Sequence, residues 1–397
     1  MGESGTLLQK LRWSLPWLAR YPFWRAGEFL ARASLPKGPQ HLIFIVANHF
    51  EPAWSTTGAL DLATQQRRLD IWCKKARNIG EAVRDCDGTP FRHTNFYPAE
   101  QYHPSLLNEL ADLQSDGFGE VEVHLHHGVG TPDTADNLRQ VLTDFRDILA
   151  DVHKCLSYED GSVLPRYAFV HGNLALANSA GGRYCGVDSE MQILAETGCF
   201  ADFTLPSAPE QSQVPRVNAI YEVGHPLSER KPHRSGKSVS VGQAPKLPVI
   251  FTGPLVFNWD RRIRGVPIPR IENSVLASNY PPSIARLQRW RTAAIGVAGR
   301  PEWMFIKLSC HGFIPEDQDL TIGPPMQQFL EEALEFGERT DEFKIHFASA
   351  REAFNMVLAA TDGEAGEPGK YRDYRFRLLP HPDVRQRSVL EKDTVTC

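Results

Sequence analysis

The sequence predicts an α/β protein built as a distorted (β/α) barrel of seven or eight strands, and three observations carry that expectation. Short β-rich apolar runs alternate with longer stretches of helical periodicity along most of the chain. Polar, chemistry-bearing residues recur just after nearly every run, as a barrel whose strand ends share one mouth requires. An open doubly wound sheet would gather its motifs at one switch point, and no glycine-rich phosphate loop is found.

His41–Ala47 (HLIFIVA) reads as the first strand, followed by a helix over Asp61–Arg84 with Leu62, Leu69, Trp72, Ala76 and Ile79 near one face. Phe91–Phe96 is a second strand, with a helix around Ser105–Leu113. Glu120–His126 is the third, with a helix from Thr134 to Leu156. Tyr167–His171 is the fourth, with a helix over Ser189–Thr197, and Ala201–Leu205 the fifth. Residues 206–248, rich in Pro, Ser, Gly, Lys and Arg, read as a long loop excursion within one domain. Val249–Thr252 makes a sixth strand, Ser283–Ala298 a helix and Trp303–Ser309 the seventh strand. Met326–Phe336 is helical, Phe343–Phe347 a short eighth strand and Ala350–Ala360 the last helix. The barrel thus occupies residues 41–360, with an N-terminal helical extension over 1–40 and a loosely packed tail over 361–397.

The chain has 397 residues, 42% hydrophobic and 23% charged, the composition of an ordinary globular protein. That excludes a wholly disordered chain, a collagen-like one and a polytopic membrane protein. A formal net charge of −5 argues against a general nucleic-acid binder. The seven cysteines are scattered without a Cys-x-x-Cys pair, so neither a disulfide framework nor a cysteine zinc site is expected, and a reducing, cytoplasmic compartment is.

The charge is unevenly spread. Residues 1–40 carry Lys10, Arg12, Arg20, Arg25, Arg32 and Lys37 against Glu3 and Glu28, interleaved over residues 7–35 with leucines and aromatics that include Trp13, Trp17 and Trp24. Pro16 and Pro22 are expected to cut this segment into short helices. Two readings stay open: a peripheral contact with the inner face of an anionic membrane, or a pair of helices capping the domain.

Among the strand-end motifs, Val123-His124-Leu125-His126-His127-Gly128 is the most specific. On a strand His124 and His126 share a face, about 7 Å apart, and two neutral imidazoles there suit zinc or another divalent metal. His127 faces the other way unless the strand has already turned. A hydrogen-bonded histidine cluster without metal is the alternative. After the first strand, His49 is a candidate third ligand and Glu51 a candidate general base. His171-Gly172-Asn173 and Cys310-His311-Gly312 each place an imidazole before a glycine at a strand end, as general acid or as packed core. Asn48, Asn173, Tyr97, Tyr102 and Trp259 are the candidate substrate contacts, the aromatics by stacking on sugar rings.

These motifs, in this order, resemble the polysaccharide deacetylase branch of the glycoside hydrolase/deacetylase superfamily, a distorted (β/α) barrel. The resemblance spans His41 to Ala360 and rests on IVANHFEP, EVEVHLHHG, FVHGN and FIKLSCHG. The stretches Cys185–Glu190 and Glu196–Ser207 look like those of a divergent subgroup from bacterial cell-surface and exopolysaccharide settings. The resemblance implies an Asp pair at the first strand, where this chain has Asn48 and His49. It also implies two metal histidines four residues apart, where this chain has His124 and Gly128, leaving His126 or His127 as the second. His311 matches the late catalytic acid.

The resulting expectation is a metal-assisted hydrolase that removes acetyl groups from an N- or O-acetylated glycan. Its metal is held by His49, His124 and His126 or His127, with Glu51, His311 and His171 catalytic. Two alternatives remain: metal-free glycoside cleavage using Glu51, Glu100 and Asp260, and a degenerate barrel that binds glycan or an assembly partner without turnover.

Overall fold

The computed structural model describes residues 5–33, 38–55 and 58–379. Helices α1 (Leu7–Leu18) and α2 (Tyr21–Ala33) precede strand β1 (Gln40–His49). The chain then alternates through α3 (Leu62–Ala82), β2 (His93–Pro98), α4 (Pro104–Ser115), β3 (Gly119–Leu125), α5 (Ala135–Asp147), β4 (Ser157–Glu159), β5 (Pro165–His171), α6 (Glu190–Thr197) and β6 (Cys199–Asp202). The excursion contributes β7 (Ile220–Val223) and β8 (Gly236–Ser238) before β9 (Val249–Phe251). Five short strands follow: β10 (Val256–Asn258), β11 (Arg262–Ile263), β12 (Val266–Pro267), β13 (Arg270–Glu272) and β14 (Val275–Leu276). The remainder is α7 (Ile284–Arg291), β15 (Trp303–Cys310), α8 (Pro315–Ile322), α9 (Pro324–Thr340), β16 (Phe343–Phe347), α10 (Ala350–Thr361) and β17 (Phe376–Leu378).

Thirteen strands form one large, mostly parallel sheet, ten of them in the order β14-β15-β1-β2-β3-β5-β6-β9-β7-β8, with β16, β4 and β17 joined off that path. β15 pairs with one edge of β1 from His41 to Asn48, so β16 and β2 share the other edge, β16 along residues 40–44 and β2 along 47–49. The antiparallel exceptions are β7 on β9, β8 on β7, and β4 between β5 and β17. Each predicted strand overlaps an observed one. The predicted 134–156 helix stops at Asp147 and passes into a π-helical turn over Ile148–Val152. The 283–298 helix stops at Arg291.

The apolar run of β1 is continuous because both of its faces are buried. Leu42, Phe44 and Val46 pack on the helix side with Leu69, Trp72 and Leu106. Ile43, Ile45 and Ala47 face a second core with Phe96, Val170, Phe251 and Phe305, here called the inner side. On β3, Val121, Val123 and Leu125 belong to the helix side, which turns Glu120, Glu122 and His124 inward. These inner charges are satisfied: Glu120 pairs with Arg351 at 2.8 Å, and Glu122 accepts the Ala168 N–H at 2.7 Å. Lys307 on β15 donates to the Phe203 carbonyl at 2.7 Å, and burial pulls its ammonium down to about 7.

The N-terminal helices divide their apolar residues between two fates. Trp17 is fully buried with Ala208, Val217 and Leu255, and the Phe257 N–H donates to the Tyr21 hydroxyl at 3.3 Å. Leu7, Leu8, Leu11, Leu15 and Phe23 are exposed. Pro16 does not divide α1: it sits within its last turn, and Pro22 occupies the first turn of α2, where a missing N–H costs little. Among the described residues, no helix is long and apolar enough to cross a membrane. The expected loose tail is corrected as far as Leu379. β17 pairs with β4, Phe376 is buried, and Arg372 bonds Asp85 at 2.9 Å. Backbone pairing and a buried ion pair hold a stretch whose Gly, Pro and charge look tail-like; the tail beyond it, 380–397, lies outside the described residues.

His93 on β2 is buried against Trp72 and Phe91, and its Nε2–H donates to the Thr321 carbonyl at 3.0 Å. Burial brings its pKa from 6.5 to about 3. The unfolded chain takes up the proton that the fold refuses. This contribution is therefore present above pH 6.5 and lost as pH falls toward 3. His93→Gln keeps a neutral donor, so its melting temperature should fall less between pH 7 and pH 4 than the wild type's (calorimetry at each pH measures the difference).

Candidate active and metal site

The parallel strands end level with one another. Asn48 sits opposite Cys310, His49 opposite Phe96, Pro98 opposite His124 and Leu125 opposite His171. The polar motifs therefore adjoin at the C-terminal edge of the sheet, and the two-residue pleat decides which face each side chain takes.

On the inner side, His49, Glu51, His124, His126 and His311 come together. A single carboxylate oxygen, Glu51 Oε1, lies 3.6 Å from His124 Nε2, 3.7 Å from His126 Nε2 and 3.6 Å from His311 Nε2. The His49 ring packs against those of His124 and His311, with centroids 4.9 and 4.7 Å away. His49, Glu51 and His124 offer three donor atoms all within 4.8 Å of one another.

The outer nitrogens explain what the inner ones can do. His124 Nδ1 lies 2.7 Å from the Val170 carbonyl, which can only accept, so the proton sits on Nδ1. Its Nε2 is then a bare lone pair, and this atom is buried without a hydrogen-bond partner. His126 Nδ1 is bonded to Glu100 at 2.7 Å in the same fashion. Burial alone would raise the Glu51 carboxyl, but the His124 imidazole and the charges of His311 and His126 outweigh it and bring it to about 2. Burial, reinforced by His311 and His124, holds His49 neutral, well below its usual range. The bare Nε2 of His124, the neutral His49 and the Glu51 carboxylate thus converge, with Glu51 and His124 too far apart for a hydrogen bond. A buried imidazole with its far nitrogen fixed and its near one unpartnered is the arrangement of a metal ligand, so the residues fit a divalent cation.

The other expected residues fall elsewhere. Asn48 is fully buried: its Nδ2 donates to Asn95 at 3.1 Å and its Oδ1 accepts the Gly312 N–H at 2.8 Å. It holds the turn that carries His311, with its side-chain amide enclosed. Tyr97 is likewise buried, with its hydroxyl donated to the Gln101 carbonyl at 2.9 Å, because its register turns it into the helix-side core. Asn173 is exposed beside Gly172. Tyr102 lines an open cavity of about 560 Å³ with Trp54, Gln65 and Glu100. A second, of about 580 Å³, runs from Glu100 past His126 to Asp133. Trp259 is 54% exposed beside Phe257, and Asp260 is paired with Arg289. A further cavity, of about 670 Å³, opens at the opposite strand ends against Trp24 and Trp303, and among the described residues no carboxylate, imidazole or thiol lines it.

His127 and His171 leave the mouth altogether. Both turn to the helix side, where their Nε2 atoms are 3.0 Å apart beside Glu190, the first residue of α6. Gly172 makes the division possible, since a Cβ there would run into the His126 ring. Glu100 is a carboxylate the sequence also marks; Asp133 shares the β3–α5 loop with His127, and Cys185 and Glu190 come from the connection into α6 and its first residue. Comparison with family models and with curated proteins finds no match.

Asn48→Ala removes both amide bonds and leaves the Gly312 N–H buried and unpaired. It should cost ~1–3 kcal/mol in a urea unfolding titration while the far-ultraviolet circular dichroism stays unchanged.

Proposed function

We propose that the protein is a metal-assisted hydrolase that removes acetyl groups from an N- or O-acetylated glycan. The observation that carries the reading is the single Glu51 oxygen facing three imidazole nitrogens at 3.6–3.7 Å beside the buried His49. In this reading the sheet is rolled as a distorted (β/α) barrel. The return of β15 to β1, and the Lys307 bond across to Phe203, support it.

His49, His124 and His126 would hold the metal, with zinc the ion best suited to that donor set. A divalent ion there supplies Lewis acidity toward the acetyl carbonyl. Glu51, ionised at neutral pH, takes the proton of the attacking water as its oxygen bonds to the carbonyl carbon. The bond from that carbon to the sugar nitrogen or oxygen then breaks, acetate leaves, and His311 protonates the leaving amine or alkoxide. His311 suits that task because its side chain is 46% accessible and a substrate can reach it. Tyr102, Asn173 and Trp259 are the accessible groups that would orient the sugar.

Glu51→Gln should lower acetate release from an acetylated glycan by ~10²–10⁴-fold, with glycan chain length unchanged in wild type and variant. Shortened chains would instead support glycoside cleavage, and tight glycan binding without release a binding protein. The His124→Ala/His126→Ala double variant should lose mouth-bound metal in elemental analysis. Acetate release by metal-free protein would overturn the mechanism.

For location, we propose a peripheral contact with an anionic membrane through α1. Leu7, Leu8, Leu11 and Leu15 form one exposed apolar face flanked by Lys10 and Arg12, while Trp17 fastens the helix to the body. Changing the four leucines to serine should abolish co-sedimentation with anionic vesicles and leave acetate release intact.

A further inference from the structure

A second group of ligand-type side chains lies on the helix side of the sheet, separate from the mouth. His127, His171, Cys185 and Glu190 offer donor atoms that all lie within 4.8 Å of one another, and all four residues are buried. His127 Nε2 is 3.0 Å from His171 Nε2 and 3.3 Å from Glu190 Oε1. His171 Nε2 is 3.5 Å from that oxygen, and Cys185 Sγ is 3.4 Å from Glu190 Oε2. Ligands held ~2.0–2.3 Å from a tetrahedral zinc stand roughly 3.3–3.8 Å from each other, so these separations are close to those of a formed site.

The outer bonds of the two imidazoles determine their inner character. His127 Nδ1 faces Asp133 Oδ2 at 2.9 Å, and His171 Nδ1 is bonded to the Gly172 carbonyl. A carboxylate and a carbonyl can only accept, so both protons sit on Nδ1 and both Nε2 lone pairs point inward. With both imidazoles neutral, two lone pairs and a carboxylate oxygen meet in a buried pocket, an arrangement that repels itself unless a cation, a metal ion or a proton, lies among them. His233 adds an independent sign. It is fully buried, neither of its ring nitrogens has a hydrogen-bond partner, and it lies within electrostatic reach of Glu190 and His171.

We propose that His127, His171, Cys185 and Glu190 form a closed structural zinc site on the helix side of the sheet, distinct from the catalytic mouth. It would clamp the ends of β3 and β5 to the start of α6 and to the loop carrying Cys185. That loop is already pressed against the strand end. Its Cys185 carbonyl accepts the Asp133 N–H at 2.8 Å, and a Cβ at Gly128 would strike it. Four protein ligands with no accessible position mark a structural site. The thiolate and carboxylate also separate it chemically from the mouth, whose proposed ligands are three imidazoles.

The test uses the full chain loaded with cobalt(II) in place of zinc. A thiolate-to-cobalt charge-transfer band in the near ultraviolet is expected. It should persist in His124→Ala/His126→Ala and in Cys86→Ser, and vanish in Cys185→Ser together with one metal equivalent per chain. No band in the wild type, or a band and metal count unchanged in Cys185→Ser, would overturn the proposal and leave a proton as the shared cation. Should Cys185→Ser not fold, wild-type protein decides through alkylation. Cys185 should be shielded from iodoacetamide with zinc bound and labelled after chelation, and equal labelling in both states overturns the site.

Discussion

The organisation of this protein depends on one constraint: strands buried on both faces whose C-terminal ends lie level. Because β1 has a core on each side, its alternation cannot slip by one residue without driving Ile43, Ile45 and Ala47 into the space of Leu42, Phe44 and Val46. The same alternation carries past the apolar residues into the polar ones, so His49 inherits the inward direction of Ala47. On β3 and β5 it sends His124 inward and His171 outward although the two strands are direct neighbours. Packing of ordinary aliphatic side chains thus sets the aim of every imidazole at the edge.

Each imidazole cluster then follows a common electrostatic plan. An outer acceptor fixes the proton on one nitrogen, Val170 and Glu100 for the inner group, Asp133 and Gly172 for the other. The second nitrogen is left facing a buried glutamate, Glu51 or Glu190, whose carboxyl is drawn to about 2 in each case. Burial works against those carboxylates, and the surrounding imidazoles offset it, joined at Glu190 by the Ala177 N–H at 2.6 Å. The groups differ in access. Glu51 faces the half-exposed His311, whereas Glu190, at the start of α6, is fully buried.

Much of this was legible in the residues themselves. The strand runs are readable because apolar β-branched and aromatic residues cluster briefly between polar stretches, and the same-face relation of His124 and His126 follows from spacing alone. The face taken by the last strand residues was harder to read: Asn48 and Tyr97 have the chemistry of substrate contacts, but their register buries them. A partner distant in sequence was invisible: Glu190 lies 63 residues from His127, and nothing local connects the two. In the N-terminal segment Trp17 turns into the body, as a capping helix requires, while the leucines one helical face away are exposed.

The peptide bond between His126 and His127 is where the two clusters touch. One ring belongs to the inner face and the next to the helix face, with Gly172 giving way beneath the first and Gly128 beneath the loop opposite the second. A single inserted or deleted residue between Leu125 and Gly128 would exchange the two addresses, sending each imidazole to a set of partners built for the other. Lengthening or shortening, normally tolerated just past the end of a strand, is therefore closed to this chain at that point, and its evolution there is confined to changes of side chain.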